Sequence, residues 1–598
     1  MKKKTLLTSL LTIAMCLALI AGSTYALFTS EDEINIAVTS GKVEVIATIN
    51  NNSIATTSLG VAQTPGEFAN GGSAELEGDT LTLAKLTPGD SVSFTITVEN
   101  KSTVAMKYRF VWSVEGELAQ YLTATVDEVA LVSNATPFTA WTGENTKTLT
   151  VVVTLPSTVG NEARDLDADI SFKVEAIQGN ADVDAIVSSE EDLRKALAED
   201  AENILITDDI VLSAGFNVES DANINGNGYT ITRTPSVATF AANESTVYDG
   251  TVFNVAAGAT LTLENITVDG GAVWTGEINE VLQRGTVNSG VTASGALVVT
   301  EANATIILGE GAILQNNCGA NAVNLGTRTG GKLIVNGGEI INNYSAAGAI
   351  WGGGEITINS GKVNGNHGGI GGAIRVVTNI GTVLTMNGGE MNHNYSDGNG
   401  GAIWAGSSRS NNVYVLNGGE MAYNYSATTG GAIYAGYYET VKIGGTFKMH
   451  DNNCAADLGA EIRFHDHASF VMTGGEISSN EENALFLNNN STSITGGKIT
   501  GNFGYSGGLG LTVGKAEIDG VIAYNLGTNH NTAYLAAEFN GFKFTVNEGA
   551  ANFAQFNFKP AEGYTYTEGD EDKLVCLNEG YETYWDATTG TFRLQAAN

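Results

Sequence analysis

Apolar and polar positions follow a repeating pattern between residues 310 and 525. A seven-residue motif, small-Gly-charged-apolar-x-x-Asn, recurs at intervals of 22 to 30 residues, and its nine copies begin at Glu310, Gly337, Ser360, Gly388, Gly418, Thr446, Gly474, Gly496 and Asp519. Intervals in this range are typical of solenoids, in which each copy forms one coil.

The third and fourth positions of the motif indicate which way the side chains point. Equivalent residues in a parallel stack lie above one another, about 4.8 Å apart. The third position is mostly charged, which predicts a solvent-facing ladder. The fourth position is apolar in every copy and is predicted to face inward: Ile313, Ile340, Val363, Met391, Met421, Met449, Ile477, Ile499 and Ile522.

The seventh position is asparagine in all nine copies, from Asn316 to Asn525. Asparagine tolerates left-handed backbone and bonds to its own turn. The sequence therefore predicts a left-handed corner residue here, and a stacked asparagine ladder along the corner.

Two further strand patterns complete the repeat. An apolar-x-apolar segment precedes the glycines, as at Leu333 and Val335, and a Gly-Ala-Ile-x segment follows the asparagine. Three short strands per repeat predict a right-handed parallel β-helix, with 204–525 as its expected extent. These phrases resemble the β-helix repeats of bacterial surface adhesins and of pectin-lyase-like proteins. The resemblance implies a fold, but adhesins and enzymes share this scaffold.

The first 26 residues have the features of a secretory signal peptide. Three lysines precede an apolar run from Leu6 to Ala21, and Thr24-Tyr25-Ala26 predicts cleavage after Ala26. We therefore expect a secreted, extracellular protein. No later stretch has the roughly 18 apolar residues of a membrane span.

Residues 27–180 are expected to form a β-sandwich, because alternating strand patterns are separated by turn-rich segments. Phrases within residues 20–180 resemble the TasA/camelysin family: GSTYALFTS from Gly22, VTSGKVEV from Val38, LTPGD from Leu86, VENKS from Val98 and ISFKVEAIQ from Ile170. That resemblance implies a jelly-roll-like sandwich, processing by a SipW-type signal peptidase, and a role in extracellular fibres or biofilm matrix.

Some members of this family are described as metalloproteases, but residues 27–180 contain no His and no Cys, so a zincin site is not expected.

The N-terminal segment that cleavage would free has two possible arrangements. It adds as a strand to a neighbouring molecule, giving self-assembly, or it folds back as the first strand of its own sandwich.

The ends of the solenoid are expected to be capped. Residues 188–198 have an N-cap serine, acidic residues in the first turn and apolar spacing, which predicts a short amphipathic helix. This helix lies in a linker, 181–203, and is expected to cover the first coil. Residues 526–598 lose the repeat but keep strand patterns, and are expected to form a C-terminal β cap.

The charge balance limits the possible partners. The chain has 598 residues, with 65 Asp plus Glu against 29 Lys plus Arg, a net charge of −36. This excess of negative charge disfavours nucleic acid and anionic membranes as partners.

Candidate ligand-binding residues are few. His465-Asp466-His467 on one strand would place two imidazoles on the same face, and Asp451, Asp457 and Asp466 fall within two coils, where they would form a calcium site or a remnant catalytic patch. Solvated side chains are the commoner outcome for both groups. We assign no catalytic residue, no metal ligand and no cofactor, with calcium left open.

The candidate site is the position after the isoleucine in five successive Gly-Ala-Ile-x segments. It is occupied by Trp351, Arg375, Trp404, Tyr434 and Arg463. Because arginine is rarely buried without a partner, this column is expected to face outward while the isoleucines face inward. One interpretation is a platform for sugar rings, with arginine binding hydroxyls or carboxylates. The other is a structural cation–π ladder.

Three functions follow as hypotheses. The first is a structural or adhesive protein that displays a β-helical rod for contact with glycans or surfaces. The alternative is a polysaccharide lyase or glycoside hydrolase on the same rod, which would need converging carboxylates. A soluble carbohydrate-binding module without a role in assembly is the third.

Overall fold

The computed structural model describes residues 29–30, 43–77, 80–131, 136, 138–160, 163, 165–178, 183–233, 250–274, 276–282, 295–326, 330–377, 381–406, 411–456, 458–480, 483–488, 491–506, 509–513, 517–519, 521–524, 531–535, 542–546, 556–560 and 565–597. The chain divides into two compact units, Met1–Asp182 and Val183–Asn598. The expected signal peptide, including Ala26, lies outside the described residues.

The first unit is a sandwich of two antiparallel sheets. One sheet has the order β10-β7-β12-β5-β4 with β1 also paired to β12, and the other has the order β3-β2-β6-β11-β8-β9. A 3-10 turn at Ala119–Tyr121 precedes β8. The strands are β1 (Thr29–Ser30), β2 (Val45–Ser58), β3 (Val61–Ala62), β4 (Ser73–Glu77), β5 (Thr80–Ala84), β6 (Asp90–Asn100), β7 (Met106–Glu115), β8 (Thr123–Val126), β9 (Val129–Ala130), β10 (Thr139–Ala140), β11 (Thr146–Thr154) and β12 (Asp167–Gln178).

The sandwich core comes from strict alternation along the strands. In β6 every second residue is buried, including Val92, Phe94 and Ile96, each 1% exposed or less. Phe94 packs edge-on against Phe172 of the opposite sheet, with ring centroids 5.3 Å apart. The expected β-sandwich is therefore confirmed.

Two residues that follow the expected cleavage site pair with the sandwich of their own chain. Thr29 and Ser30 pair antiparallel with Ile177 and Ala176 of the same chain. Of the two alternatives raised by the sequence, these two residues adopt the intramolecular one. The remainder of that segment, 31–42, is not among the described residues.

The second unit is a stack of parallel strands with one α-helix, α1 (Glu190–Ala198). The strands before the main repeat are β13 (Ala185–Val187), β14 (Asn203–Ile206), β15 (Ile210–Leu212), β16 (Phe216–Val218), β17 (Ala222–Asn225), β18 (Thr230–Arg233), β19 (Phe253–Val255), β20 (Thr260–Glu264), β21 (Thr267–Asp269), β22 (Glu277–Ile278), β23 (Val281–Leu282), β24 (Val298–Thr300) and β25 (Thr305–Leu308).

The main repeat occupies the next strands. They are β26 (Ile313–Gln315), β27 (Cys318–Gly319), β28 (Val323–Asn324), β29 (Lys332–Ile341), β30 (Tyr344–Ser345), β31 (Ile350–Gly352), β32 (Glu355–Asn364), β33 (His367–Gly368), β34 (Ile374–Val376), β35 (Val383–Met386), β36 (Tyr395–Ser396), β37 (Ile403–Ala405), β38 (Val413–Leu416), β39 (Glu420–Ala422), β40 (Tyr425–Ser426), β41 (Ile433–Ala435), β42 (Thr440–Ile443), β43 (Lys448–His450), β44 (Asn453–Cys454), β45 (Ile462–Phe464), β46 (Ser469–Ser478), β47 (Leu485–Asn488) and β48 (Ser491–Thr500).

The last strands lead to the C-terminal end. They are β49 (Phe503–Ser506), β50 (Leu509–Val513), β51 (Glu517–Asp519), β52 (Val521–Tyr524), β53 (Asn531–Leu535), β54 (Phe542–Val546), β55 (Asn557–Pro560), β56 (Leu574–Cys576), β57 (Tyr581–Asp586) and β58 (Thr591–Ala596), with a 3-10 turn at Glu571–Lys573.

Among the described residues these strands form three stacked sheets, which are a 24-stranded sheet, a 14-stranded sheet and a six-stranded corner sheet, and β22 and β23 form a separate antiparallel hairpin. The two strand patterns around the glycines belong to the 24-stranded sheet, and β29 carries both of them across a bend. Gly361 shows why glycine is required at this bend. Its φ is +94°, and an added Cβ would lie 2.1 Å from the carbonyl oxygen of Gly338 in the neighbouring coil. The parallel β-helix architecture is confirmed.

The fourth motif position fills the interior from Ile340 to Ile499, and these residues are all fully buried. Two copies have a different register from the one predicted. Leu314, not Ile313, pairs with Ile340. Near the other end Ile518 pairs with Ile499, whereas Ile522 belongs to the 14-stranded sheet and pairs with Phe503.

The asparagine corner agrees with the prediction in the first copy, where Asn316 itself has a left-handed φ of +54°. In later copies the left-handed residue is the one before the asparagine, as at Asn342, His393 and Tyr423, with φ values of +55°, +54° and +57°. The asparagines that turn their side chains inward are 1% exposed or less, and they are Asn317, which follows the predicted Asn316, and Asn343, Asn366, Asn394, Asn424 and Asn452. Asn480 is exposed and lies outside the buried row.

Helix α1 covers the apolar end of the stack, as expected. Ser189 is its N-cap and accepts a hydrogen bond from the Asp192 N–H. Leu193, Ala196 and Leu197 are buried in the same core cluster as the first coils. At nine residues α1 is far too short for a membrane span, and no longer apolar helix occurs in the described part of the chain.

Parallel pairing continues past residue 525, where the cap was expected to begin. Strand β53 pairs in parallel with β55, and β54 with β56. The hairpin β57–β58 then closes the end, because β58 pairs antiparallel with β55 and buries Phe592. The glycine-containing motif is absent from this part of the sequence, so the motif did not reveal these coils.

Candidate functional site

The five candidate residues lie in one column of the 14-stranded sheet. Trp351 pairs with Arg375, Arg375 with Trp404, Trp404 with Tyr434, and Tyr434 with Arg463. The next strand adds Phe486 opposite Arg463. We refer to this column, from Trp351 to Phe486, as the stripe.

The stripe faces outward because its neighbours face inward. The isoleucine before each of the five is fully buried, at Ile350, Ile374, Ile403, Ile433 and Ile462. The stripe side chains are half-buried. This alternation follows from the period of two along a strand.

The polar edges of the aromatic residues are available for a ligand. The side chains of Trp351, Trp404 and Tyr434 make no hydrogen bond within the described part of the chain. Burial raises the pKa of the Tyr434 hydroxyl, so it stays protonated and remains a donor at neutral pH.

The two arginines stack on aromatic rings. The Arg375 guanidinium lies 5.3 Å from the Trp404 ring centroid, and that of Arg463 lies 4.1 Å from the Phe486 centroid. Burial lowers the pKa of both arginines. The stripe therefore contains both aromatic rings and half-buried guanidinium cations.

Tyrosine and histidine side chains extend the stripe at one side. Tyr437 and His465 pack with ring centroids 4.0 Å apart, and Tyr434 lies 6.2 Å from His465. Burial and the charge of Arg463 lower the pKa of His465. Tyr437 is exposed and adds a further planar surface beside Tyr434.

The His465-Asp466-His467 cluster does not have the geometry predicted for it. The three residues follow β45 in a turn, where His467 has a φ of +59°, and are not on a strand. His465 packs on Tyr437, whereas His467 stacks on Tyr438. Among the described residues no group of three or more His, Cys, Asp or Glu side chains could hold a metal ion.

The three aspartates considered for calcium are not brought together in the described structure. Asp451 contacts His450 at 2.9 Å and accepts a bond from Asn480. Asp466 contacts His467 at 3.1 Å. Asp457 lies outside the described residues.

A groove of about 550 Å³ runs along the glycine bend of the 24-stranded sheet. The charged ladder lines it, and several of these charges have partners: Lys362 lies 3.0 Å from Glu339, and Glu420 lies 3.0 Å from His450. Because several of its charges already have partners, this groove is a weaker candidate for a binding site than the stripe.

Two residues of the site, Phe486 and Tyr437, were not predicted from the repeat pattern. Phe486 occurs in an Ala-Leu-Phe segment where leucine replaces the isoleucine of the repeat, and aligning that segment would have found it. Tyr437 lies beyond the strand, so only the structure places it beside the stripe.

Comparison with known proteins does not assign this chain to a family. No protein-family profile matches the chain, and no curated protein sequence is significantly similar to it. The chain is similar to the catalytic unit of a thermostable GH87 α-1,3-glucanase from Streptomyces thermodiastaticus, with 10% identity, 88% of this chain and 95% of the other covered, and a TM-score of 0.24. It is also similar to a variant catalytic domain of a GH87 α-1,3-glucanase in complex with tetrasaccharides, with 11% identity, 90% and 99% covered, and a TM-score of 0.26. Matches at these scores leave the function to be argued from the chain's own residues.

Proposed function

We propose that this chain is a secreted glycan-binding protein whose β-helix holds a polysaccharide along the stripe. The observation that carries the proposal is the register of Trp351, Trp404 and Tyr434 in one outward column, with unpaired polar edges. Partly exposed aromatic side chains grouped in this way are a mark of interaction surfaces.

The spacing of the column suits a polymer. Neighbouring parallel strands lie about 4.8 Å apart, close to the length of one sugar residue in an extended polysaccharide. A chain lying along the stack would place about one ring on each coil. The sheet holds the side chains rigidly, so little conformational entropy is lost on binding.

The cellular setting is part of the proposal. The signal peptide ending at Ala26 and the TasA/camelysin-like phrases support export through a SipW-type signal peptidase to a cell surface or biofilm matrix. In this setting the sandwich would anchor or assemble the protein while the rod displays the stripe. Self-assembly through the N-terminal strand would require Thr29–Ser30 to leave its pairing with β12.

The proposed role is binding without cleavage. Hydrolysis or elimination needs carboxylates or an equivalent base beside the scissile bond, and the stripe contains none. A lyase or hydrolase remains the alternative function, and the test below separates the two.

The test is a binding screen of the mature protein against a broad panel of polysaccharides, followed by the double variant Trp404→Ala/Tyr434→Ala. We expect at least about tenfold weaker binding, because aromatic anchors commonly contribute more than 1.4 kcal/mol. The melting temperature should change little. Tyr423→Ala is the matched control, since Tyr423 is 48% exposed at the asparagine corner and stacks on His393.

Three outcomes decide the proposal. Loss of binding in the double variant but not in the control supports it. Absence of binding to every polysaccharide, or equal binding by both variants, would leave the stripe as a structural ladder. Release of shortened sugar products would replace the proposal with the enzymatic alternative.

A further inference from the structure

Within the part of the chain that the structure describes, no counter-charge lies beside the two stripe arginines, although the chain is rich in acids. The sequence has 65 Asp plus Glu against 29 Lys plus Arg. Among the described residues, three other arginines lie close to a carboxylate: Arg109 to Glu175 at 2.7 Å, Arg194 to Glu190 at 2.6 Å and Arg593 to Asp586 at 3.4 Å.

Arg375 and Arg463 have no such partner. In the described structure no ion pair joins either of them to a carboxylate, and the Nε of Arg375 is buried without a hydrogen bond. Arg463 donates from Nη1 to the Phe464 carbonyl oxygen at 3.0 Å. The nearby Asp466 contacts His467 instead.

Partly burying a cation without a nearby anion costs free energy, because burial removes water from the charged group. Burial lowers the pKa of both residues, which reflects that cost. Stacking on Trp404 and Phe486 recovers part of it. Stacking also holds each planar guanidinium in place while leaving edge donors for a carboxylate, which it binds in a two-pronged geometry.

The spacing of the two cations defines the ligand further. Arg375 and Arg463 are three strand steps apart, roughly 14 Å at strand spacing, and Trp404 and Tyr434 lie between them. A polymer bound along the stripe would therefore present anionic groups at both ends of a segment whose middle rings stack on aromatic faces.

We propose that the stripe is selective for an acidic polysaccharide, with sugar carboxylates bound by Arg375 and Arg463 and sugar rings stacked on Trp404 and Tyr434. This inference rests on the proposed glycan-binding function and names its ligand class. The net charge of −36 disfavours polyanions over the surface as a whole, so binding of such a ligand depends on the local cations Arg375 and Arg463.

The experiment compares two forms of one polymer. Length-defined mannuronate oligosaccharides are titrated against the full mature chain, alongside the same oligosaccharides after reduction of their carboxylates to alcohols. The variant is Arg375→Gln/Arg463→Gln. The control is Lys332→Gln/Lys498→Gln, which removes the same charge from the 24-stranded sheet, where each lysine faces a glutamate.

The wild-type protein and the control should bind the acidic form at least about tenfold more tightly than the neutral form, since bonds to charged groups contribute that much. The arginine variant should bind both forms with the affinity of wild type for the neutral form. If the double variant does not fold, Arg375→Gln alone carries the test, because Arg375 makes no hydrogen bond that the structure describes.

Failure of the acidic selectivity and failure of glycan binding give different results in this experiment. Equal affinity of the wild-type protein for both forms, or an unchanged preference in the arginine variant, overturns the acidic selectivity while leaving glycan binding intact. Binding of neither these oligosaccharides nor any polysaccharide of the screening panel overturns the proposed function and the selectivity together.

Discussion

Glu461 ends the buried asparagine row by accepting hydrogen bonds from the backbone N–H and from the side-chain amide of Asn452. The Asn452 backbone N–H lies 3.3 Å from Glu461 Oε1, and Nδ2 lies 2.5 Å from Oε2. Along the row, each asparagine donates its N–H to the Oδ1 of the next, as Asn394 does to Asn424 at 2.9 Å. The side-chain dipoles therefore point the same way from coil to coil.

The other end of the row is capped by a cation. Arg233 is fully buried and donates from Nη2 to Asn317 Oδ1, and from Nη1 to the carbonyl oxygens of Gly250 and Gly295 at 2.7 and 2.8 Å. A cation thus meets the acceptor end of the row and a carboxyl group meets its donor end. Both caps satisfy groups that would otherwise be buried without partners.

The first prediction concerns this row. Asn394→Ala should destabilise the protein by roughly 3–5 kcal/mol, because it leaves the N–H and Nδ2 of Asn366 without their acceptor and the Val363 carbonyl without its donor. Asn387→Ala is the control. It interrupts an exposed asparagine row, between Asn359 and Asn417, and should cost about 1 kcal/mol or less. Denaturant unfolding measures both, and similar losses would show that burial of the row is unimportant.

The second prediction concerns pH. Glu439 is fully buried, accepts a bond from Asn412 Nδ2 at 3.0 Å, and has its pKa raised by burial from 4.5 to about 8. The unfolded chain loses this proton near pH 4.5 and the folded chain keeps it until about pH 8. Stability from this group is therefore full below pH 4.5 and falls as the pH rises to 8, by at most roughly 5 kcal/mol.

Glu439→Gln removes this dependence, because glutamine stays neutral. The melting temperature of the variant minus that of wild type should therefore be larger at pH 8 than at pH 4.5. Thermal melts at the two values test this. A constant difference between the variants at both pH values would mean that Glu439 ionises normally in the folded protein.

The third prediction concerns the inward column. Met421 is fully buried, so Met421→Asp should cost more than about 4 kcal/mol by placing a carboxylate where it has neither water nor a partner. Glu476→Gln, on the charged ladder at 3.9 Å from Lys498, should change stability by less than about 1 kcal/mol. Equal destabilisation by the two substitutions would contradict the register.

The sequence predicted the interior where the motif is regular. Ile340 and Ile499 each follow a charged residue that is itself preceded by two glycines, and this order identifies them in the sequence. At Ile313 and Leu314 two apolar residues are adjacent, and only stacking against Ile340 decides which of them faces inward. Near the C-terminal end Asp519 resembles the start of a copy, yet Glu517 and Ile518 hold the stacked positions.

The alignment of the site residues in one column was predictable from the sequence, but the charges around them were not. A strand period of two, together with the repeat, aligns Trp351 with Arg463 without any structure. Whether Arg375 has a carboxylate partner depends on side chains that are distant in sequence, and no local pattern reveals it. The same holds for Glu461, whose role follows from its contact with Asn452.

The most direct test of glycan binding along the stripe is the dependence of affinity on ligand length. Titration calorimetry with mannuronate oligosaccharides should show affinity rising with each added sugar up to about five or six residues, because the stripe spans six coils at about 4.8 Å each. Beyond that length the affinity should stay constant. Affinity that is already maximal with a disaccharide, or no binding at any length, would contradict the account.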